Sequence, residues 1–132
     1  MTLDPLLAAP LVVRLHAATA MAAIPLGAAQ FLLPKGDPRH RALGWAWVVL
    51  MGVTAASALG ITGRAGAGRW SWIHGLVALV AVLLPLAVLA ARRGHVRRHR
   101  ATMLGLYLGA LLITGALTLT PGRVMHRVVF GG

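Results

Sequence analysis

Four histidines of this chain form two matched pairs, and imidazole can ligate a metal, carry a proton or make hydrogen bonds. His16 lies in the first apolar stretch, and His74 lies 58 residues later in the third. His40 opens the second stretch, and His99 opens the fourth, 59 residues later. Two imidazoles from facing helices of a bundle can hold a haem iron. The pattern therefore predicts His16 with His74, and His40 with His99, as candidate iron ligands.

The histidines belong to a wider internal repeat. Lys35-Gly36 recurs as Arg93-Gly94, and a His-Arg-Ala run recurs at 40–42 and 99–101. The repeat predicts a two-helix unit that is duplicated in parallel, so that equivalent histidines lie at equivalent depths.

Other catalytic groups are scarce. Asp4 and Asp37 are the only carboxylates, and both lie outside the apolar stretches. The absence of cysteine excludes disulfides and thiolate metal sites. Ser57 lacks the base and orienting group that a nucleophile needs. The sequence thus favours an electron carrier or an accessory subunit over a hydrolase or transferase, although enzymatic activity stays open.

The composition is that of an integral membrane protein. Hydrophobic residues make up 58% of the 132 residues, charged residues only 11%, and the mean hydropathy is +0.79. A soluble domain carries about 25% charged residues. The basic residues that give the chain its net charge of +11 lie mostly between the apolar stretches and do not form one polar face. That placement is typical of membrane topology signals and disfavours a nucleic-acid partner.

Four apolar stretches are each close to the ~20 residues that cross a bilayer. The predicted spans are 10–33, 42–62, 70–91 and 101–120, followed by an interfacial tail at 121–132. Because lipid offers backbone groups no partner, the spans are predicted to be helices. The expected fold is all-α: a single-domain, integral membrane four-helix bundle.

The distribution of basic residues predicts the orientation. The first and third connections hold eight Lys and Arg, and the other side holds five. The eight are Lys35, Arg39, Arg41, Arg92, Arg93, Arg97, Arg98 and Arg100. The positive-inside rule places them in the cytoplasm, with both termini outside, in the periplasm of a bacterial inner membrane. Trp45 and Trp47 are predicted at one interface, and Trp70 and Trp72 at the other.

The helix faces that carry the first and third histidines are unusually small. Helical spacing puts Ala20, Ala23, Gly27 and Gln30 on the face of His16, and Ala78, Ala81 and Pro85 on that of His74. Such faces leave room for a flat group or allow close helix packing. Arg14, Arg41 and Arg100 are the candidate partners for haem propionates.

Each histidine pair also has a simpler interpretation. His16 and His74 could make interhelical hydrogen bonds that hold the bundle together, or serve proton or quinone chemistry. His40 and His99 could belong to a basic collar that binds lipid headgroups. Small residues at Gly44, Gly52 and Gly60, and at Ala101, Gly105 and Gly109, are typical of helix packing.

Several motifs together resemble one family. They are the segments 34–45 (PKGDPRHRALGW), 72–74 (WIH), 91–103 (ARRGHVRRHRATM) and 121–126 (PGRVMH). The chain resembles small bacterial membrane proteins grouped as domain of unknown function 2306 (DUF2306), over nearly its whole length. The resemblance implies a four-helix inner-membrane protein without a settled activity, and His16, His40, His74 and His99 match its histidine positions. Cytochromes of the b561 type are similar in architecture only.

The leading expectation is a b-type haem protein, with one or two haems, that transfers electrons across the membrane and exchanges them with quinone. A cofactor-free accessory or assembly subunit of a larger respiratory or photosynthetic membrane complex is the alternative. A small proton-linked transporter is a third option, for which four helices without a buried carboxylate offer little pathway.

Overall fold

The computed structural model describes residues 1–62 and 72–131, and within these residues the chain is helical without any strand. The helices are α1 (Asp4–Leu7), α2 (Leu11–Leu32), α3 (Pro38–Thr62), α4 (Trp72–Arg92), α5 (Val96–Gly105), a π-helical segment (Leu106–Ile113), α6 (Thr114–Leu117) and α7 (Val124–Phe130). The all-α prediction is confirmed.

Four helices are long and apolar enough to cross a membrane. They are Leu11–Leu32, Pro38–Ile61, His74–Arg92 and Val96–Leu117, the last of which joins α5, the π segment and α6. Their length and composition confirm the four predicted spans and make a multi-pass membrane protein the natural interpretation. The predicted start of the third span at Trp70 lies outside the described residues.

Two spans begin earlier than their hydropathy indicates. The second starts at Pro38 rather than at 42, because the Asp37 carboxylate caps the helix by accepting the His40 N–H at 2.7 Å. Proline at the first helical position favours the same start. The fourth starts at Val96 rather than at 101, so its first turn is basic. Hydropathy misses both first turns because they are charged.

The spans close into a ring. α2 packs on α3, α3 on α4 and α4 on α5, and the π segment contacts both α2 and α4. The two turns at the end opposite the chain termini use glycines with positive φ, Gly36 at +86° and Gly94 at +75°. α1 and α7 pack together at the terminal end, where Leu6, Ala17 and Val128 form a small buried cluster.

Two aromatic side chains fill the middle of the bundle, on the small face of α2. Trp47 is 2% exposed, and its indole N–H donates to the Ala23 carbonyl at 3.1 Å. The Tyr107 hydroxyl donates to the Ile24 carbonyl at 2.9 Å. A Cβ on Gly27 would come within 2.5 Å of the Tyr107 ring and 2.8 Å of the Trp47 indole nitrogen. The room beside Gly27 is therefore occupied by packed side chains.

Trp47 is buried inside the bundle, whereas Trp45 is 50% exposed, so of the two only Trp45 presents its indole outward as residues of an interfacial belt do. With the helix beginning at Pro38, Trp47 lies about 13 Å along its axis.

Candidate histidine sites at the two ends of the bundle

His16, at the terminal end, is fixed by hydrogen bonds to α3. Its Nδ1 lies 2.8 Å from the Thr54 carbonyl oxygen and 3.0 Å from the Ser57 hydroxyl oxygen. Because a carbonyl oxygen can only accept, Nδ1 carries the proton and donates to Thr54. In the neutral ring the lone pair then resides on Nε2, the atom that can ligate a metal.

Hydroxyl groups extend this contact between α2 and α3. The Thr54 hydroxyl lies 2.8 Å from that of Thr19 and 2.7 Å from the Leu50 carbonyl, and the Ser57 hydroxyl donates to the Thr54 carbonyl at 2.9 Å. Since the Thr54 hydroxyl has one proton, it donates either to Leu50 or to Thr19. These bonds join the helices through polar groups, so the interhelical bond considered for His16 is present.

His74 lies in the first turn of α4 and is half-buried. The hydrogen bonds that fix His16 run to α3 rather than to α4. The predicted pairing of His16 with His74 therefore stays a prediction.

At the turn end, His40 and His99 come from α3 and α5 and lie within electrostatic range of each other. His99 Nδ1 is 2.8 Å from the Ala87 carbonyl, so the ring donates back to α4 and keeps its Nε2 lone pair free for a ligand. Lys35 and Asp37 lie within the same range of His40.

Gln30 belongs to this turn-end cluster, and the sequence did not assign it there. Its Nε2 donates to the His40 carbonyl at 2.9 Å. Its Oε1 and the Nδ1 atom of His40 are both buried, and neither has a hydrogen-bond partner within the described residues. Gln30 is the only amide side chain of the chain, and it lies inside a span, which is where a specific polar contact is expected.

The predicted propionate partners lie on the surface. Arg14, Arg41 and Arg100 are exposed, and their side chains make no hydrogen bond or ion pair within the described part of the chain. The remaining histidines lie apart from both sites: His95 is exposed in the α4–α5 turn, and His126 donates from Nδ1 to the Leu119 carbonyl at 2.7 Å.

The donor set limits the chemistry. Within residues 1–62 and 72–131, no three His, Cys, Asp or Glu side chains come together as a metal-ligand set. A haem iron needs only two imidazoles, because the macrocycle supplies the other ligands. At the turn end, His40 and His99 supply two imidazoles of suitable chemistry.

Comparison of the chain with models of protein families, with curated proteins and with solved structures finds no match.

Proposed function

We propose that this protein is a small b-type haem-binding membrane protein that takes part in electron transfer, and that His40 and His99 are its best-supported ligand pair. The observation that carries the proposal is that His40 and His99, from two different helices, lie within electrostatic range of each other at the turn end, with His99 anchored through Nδ1. Ligating histidines usually donate their other ring N–H to a carbonyl or carboxylate, which fixes the tautomer and the ring orientation.

Gln30 can give His40 the same anchor. The unpartnered Oε1 is an acceptor, and it belongs to a residue that already bonds the His40 backbone. A hydrogen bond from the Nδ1–H of His40 to this oxygen would satisfy both buried atoms. Both rings would then present Nε2 to the same iron.

A bound haem would supply one-electron redox chemistry. The chain's own contribution is to orient the two imidazoles and to surround them with positive charge, which Arg41 and Arg100 provide for propionates. His16 and His74, with Arg14 nearby in sequence, are the proposed ligands of a second haem. Nε2 of His16 has no hydrogen-bond partner within the described residues.

The remaining expectations belong to this proposal. The protein would lie in a bacterial inner membrane with its turns in the cytoplasm and its termini in the periplasm, and would exchange electrons with quinone or with a partner complex. Its two hairpins would descend from one duplicated unit. The resemblance to DUF2306 is in keeping with this setting.

The test is the visible spectrum of the purified protein after haem supplementation, oxidised and reduced. We expect a Soret band that is lost in His40→Ala and in His99→Ala, and retained in the control His95→Ala, which alters an exposed histidine of the adjoining turn. Far-UV circular dichroism checks that each variant is folded. A wild-type protein without a Soret band would overturn the proposal.

Gln30→Leu tests the anchor separately. It removes the acceptor offered to His40, and loss of such a partner weakens metal affinity about 10- to 100-fold. Gln30→Glu keeps an acceptor oxygen and should restore most of the haem affinity in a titration. Equal affinity in wild type and Gln30→Leu would show that Gln30 does not position His40.

A cofactor-free accessory subunit is the second candidate, and specific glycines favour it. A Cβ added to Gly52, Gly105 or Gly109 would meet nothing within 4 Å, so these small residues are not used for packing inside the bundle. Small residues on an unpacked helix face permit close approach by another helix. In this case Gly109→Leu would abolish association with a membrane complex while leaving the fold intact, and the histidine variants would change no absorbance.

A further inference from the structure

A lipid-facing groove lies between α3 and α4 near the turn end. It has a volume of about 390 Å³ and is lined by Trp45, Val48, Leu84, Pro85, Val88, Leu89 and Arg92. Trp45 and Leu89 are 50% and 40% exposed, so the groove is reached from outside the bundle. From Pro85 to Arg92 it follows α4 for about 10 Å. Its walls are apolar, and its only charged lining residue, Arg92, lies at the end of α4.

Arg92 is held at the mouth of the groove by Trp45. Its guanidinium carbon lies 5.6 Å from the centre of the indole ring, within the range of a cation–π contact. No carboxylate forms a salt bridge with Arg92 within the described residues, so its positive charge is available to an outside anion.

The residues around Arg92 add positive charge, and no free carboxylate among the described residues would compete with an anionic ligand for it. The turn that follows Arg92 forms a second hollow lined by Gly94, His95, Val96, Arg97 and Arg98. The carboxylate nearest in sequence to the α3 wall is Asp37, which is engaged in capping α3. A basic site at the end of an apolar groove matches an anionic headgroup joined to an acyl chain.

We propose that this groove is a binding site for an anionic phospholipid, with the phosphate at Arg92 and an acyl chain against Val48, Pro85 and Val88. The indole of Trp45 orients the guanidinium and lies at the level of the headgroup, where tryptophan is favoured. The site is independent of the haem proposal, since none of its lining residues is a histidine.

Native mass spectrometry of the full chain, released from micelles with phosphatidylglycerol or with phosphatidylcholine of the same acyl chains, tests the site. We expect wild type to retain phosphatidylglycerol in preference. Arg92→Gln should lower that retention about fivefold, the effect of one cation near an anionic surface. The matched control is Arg93→Gln, which removes the same charge from the next, exposed residue outside the groove.

A second pair of variants tests the apolar wall. Val88→Trp fills the groove without changing the charge and should lower phosphatidylglycerol retention, whereas Leu86→Trp, at an exposed position outside the groove, should not. Glycerol 3-phosphate, which carries the charge without acyl chains, should fail to compete at equal concentration. Equal losses in Arg92→Gln and Arg93→Gln, or no loss in Val88→Trp, would overturn the proposal in favour of general attraction to the basic surface.

Discussion

The two helical hairpins of this bundle carry matching histidines but differ in sequence at the positions that bond His16 in the first hairpin. In the first hairpin, α2 with α3, His16 is bonded to the Thr54 carbonyl and to the Ser57 hydroxyl. In the second hairpin, the positions that match these two residues in the repeat are 112–113 and 115–116, which carry Leu-Ile and Gly-Ala. The second hairpin thus has no hydroxyl side chain at the positions that match Thr54 and Ser57. Repetition of a histidine in the sequence does not imply repetition of the groups that bond it.

In the core, by contrast, the two hairpins make equivalent contributions. Trp47 of the first hairpin and Tyr107 of the second both donate hydrogen bonds to consecutive carbonyls of α2, those of Ala23 and Ile24. Pro25 follows directly and offers no N–H to its own helix. The small face of α2 is therefore a surface on which the two hairpins join, and the close packing at Gly27 leaves no room there for a larger side chain.

The largest effect is expected for Trp47→Ala in the first hairpin. Removal of this buried indole leaves a cavity and frees the Ala23 carbonyl, and we expect a loss of about 3 kcal/mol in the free energy of unfolding. The exposed Trp45→Ala should change it by less than about 0.5 kcal/mol. Unfolding in mixed micelles by titration with a denaturing detergent measures both. Similar losses at the two positions would show that Trp47 is not the central packing residue.

Gly27→Ala should have the next largest effect, because the new methyl group would overlap Tyr107 and Trp47. Overpacking of this kind costs about 2 kcal/mol. Gly52→Ala is the matched control, since its methyl group would meet nothing within 4 Å. A stable Gly27→Ala variant would mean that the hairpins can separate here at little cost.

The smallest effect is expected at the polar contact that distinguishes the hairpins. A double-mutant cycle with His16→Ala and Ser57→Ala should give a coupling of about 0.6 kcal/mol, the average for hydrogen bonds between membrane helices. The same micelle titration provides the four values. Zero coupling would leave the Thr54 carbonyl as the only partner of consequence for His16.

The sequence predicted the helical fold well, whereas the assignment of the histidines to a cofactor site stays a prediction. Four apolar stretches suffice to predict four helices, because a membrane span has few alternatives. The predicted starts of the second and fourth helices were too late, because these helices begin at Pro38 and Val96. Their first turns are charged, so hydropathy does not detect them.

The unsatisfied atoms of Gln30 and His40 could not be predicted from either residue alone. The hydrogen bond that brings Gln30 to the His40 carbonyl depends on the angle at which α2 returns into α3, and hydropathy and spacing do not contain that angle. A lone glutamine in an apolar span was the available indication, and it placed Gln30 inside the bundle without naming its partner.

The π segment changes which residues share a face of the fourth span. A hydrogen-bond ladder from i to i+5 accommodates more residues per turn than an α-helix, as if the chain had gained residues there. Residues beyond Leu106 therefore no longer follow the 3.6-residue period of the preceding α-helix. A helical wheel drawn with that period through Val96–Leu117 places Gly109 on the wrong face of the helix. Deleting a residue from the segment would rotate all that follows about the helix axis.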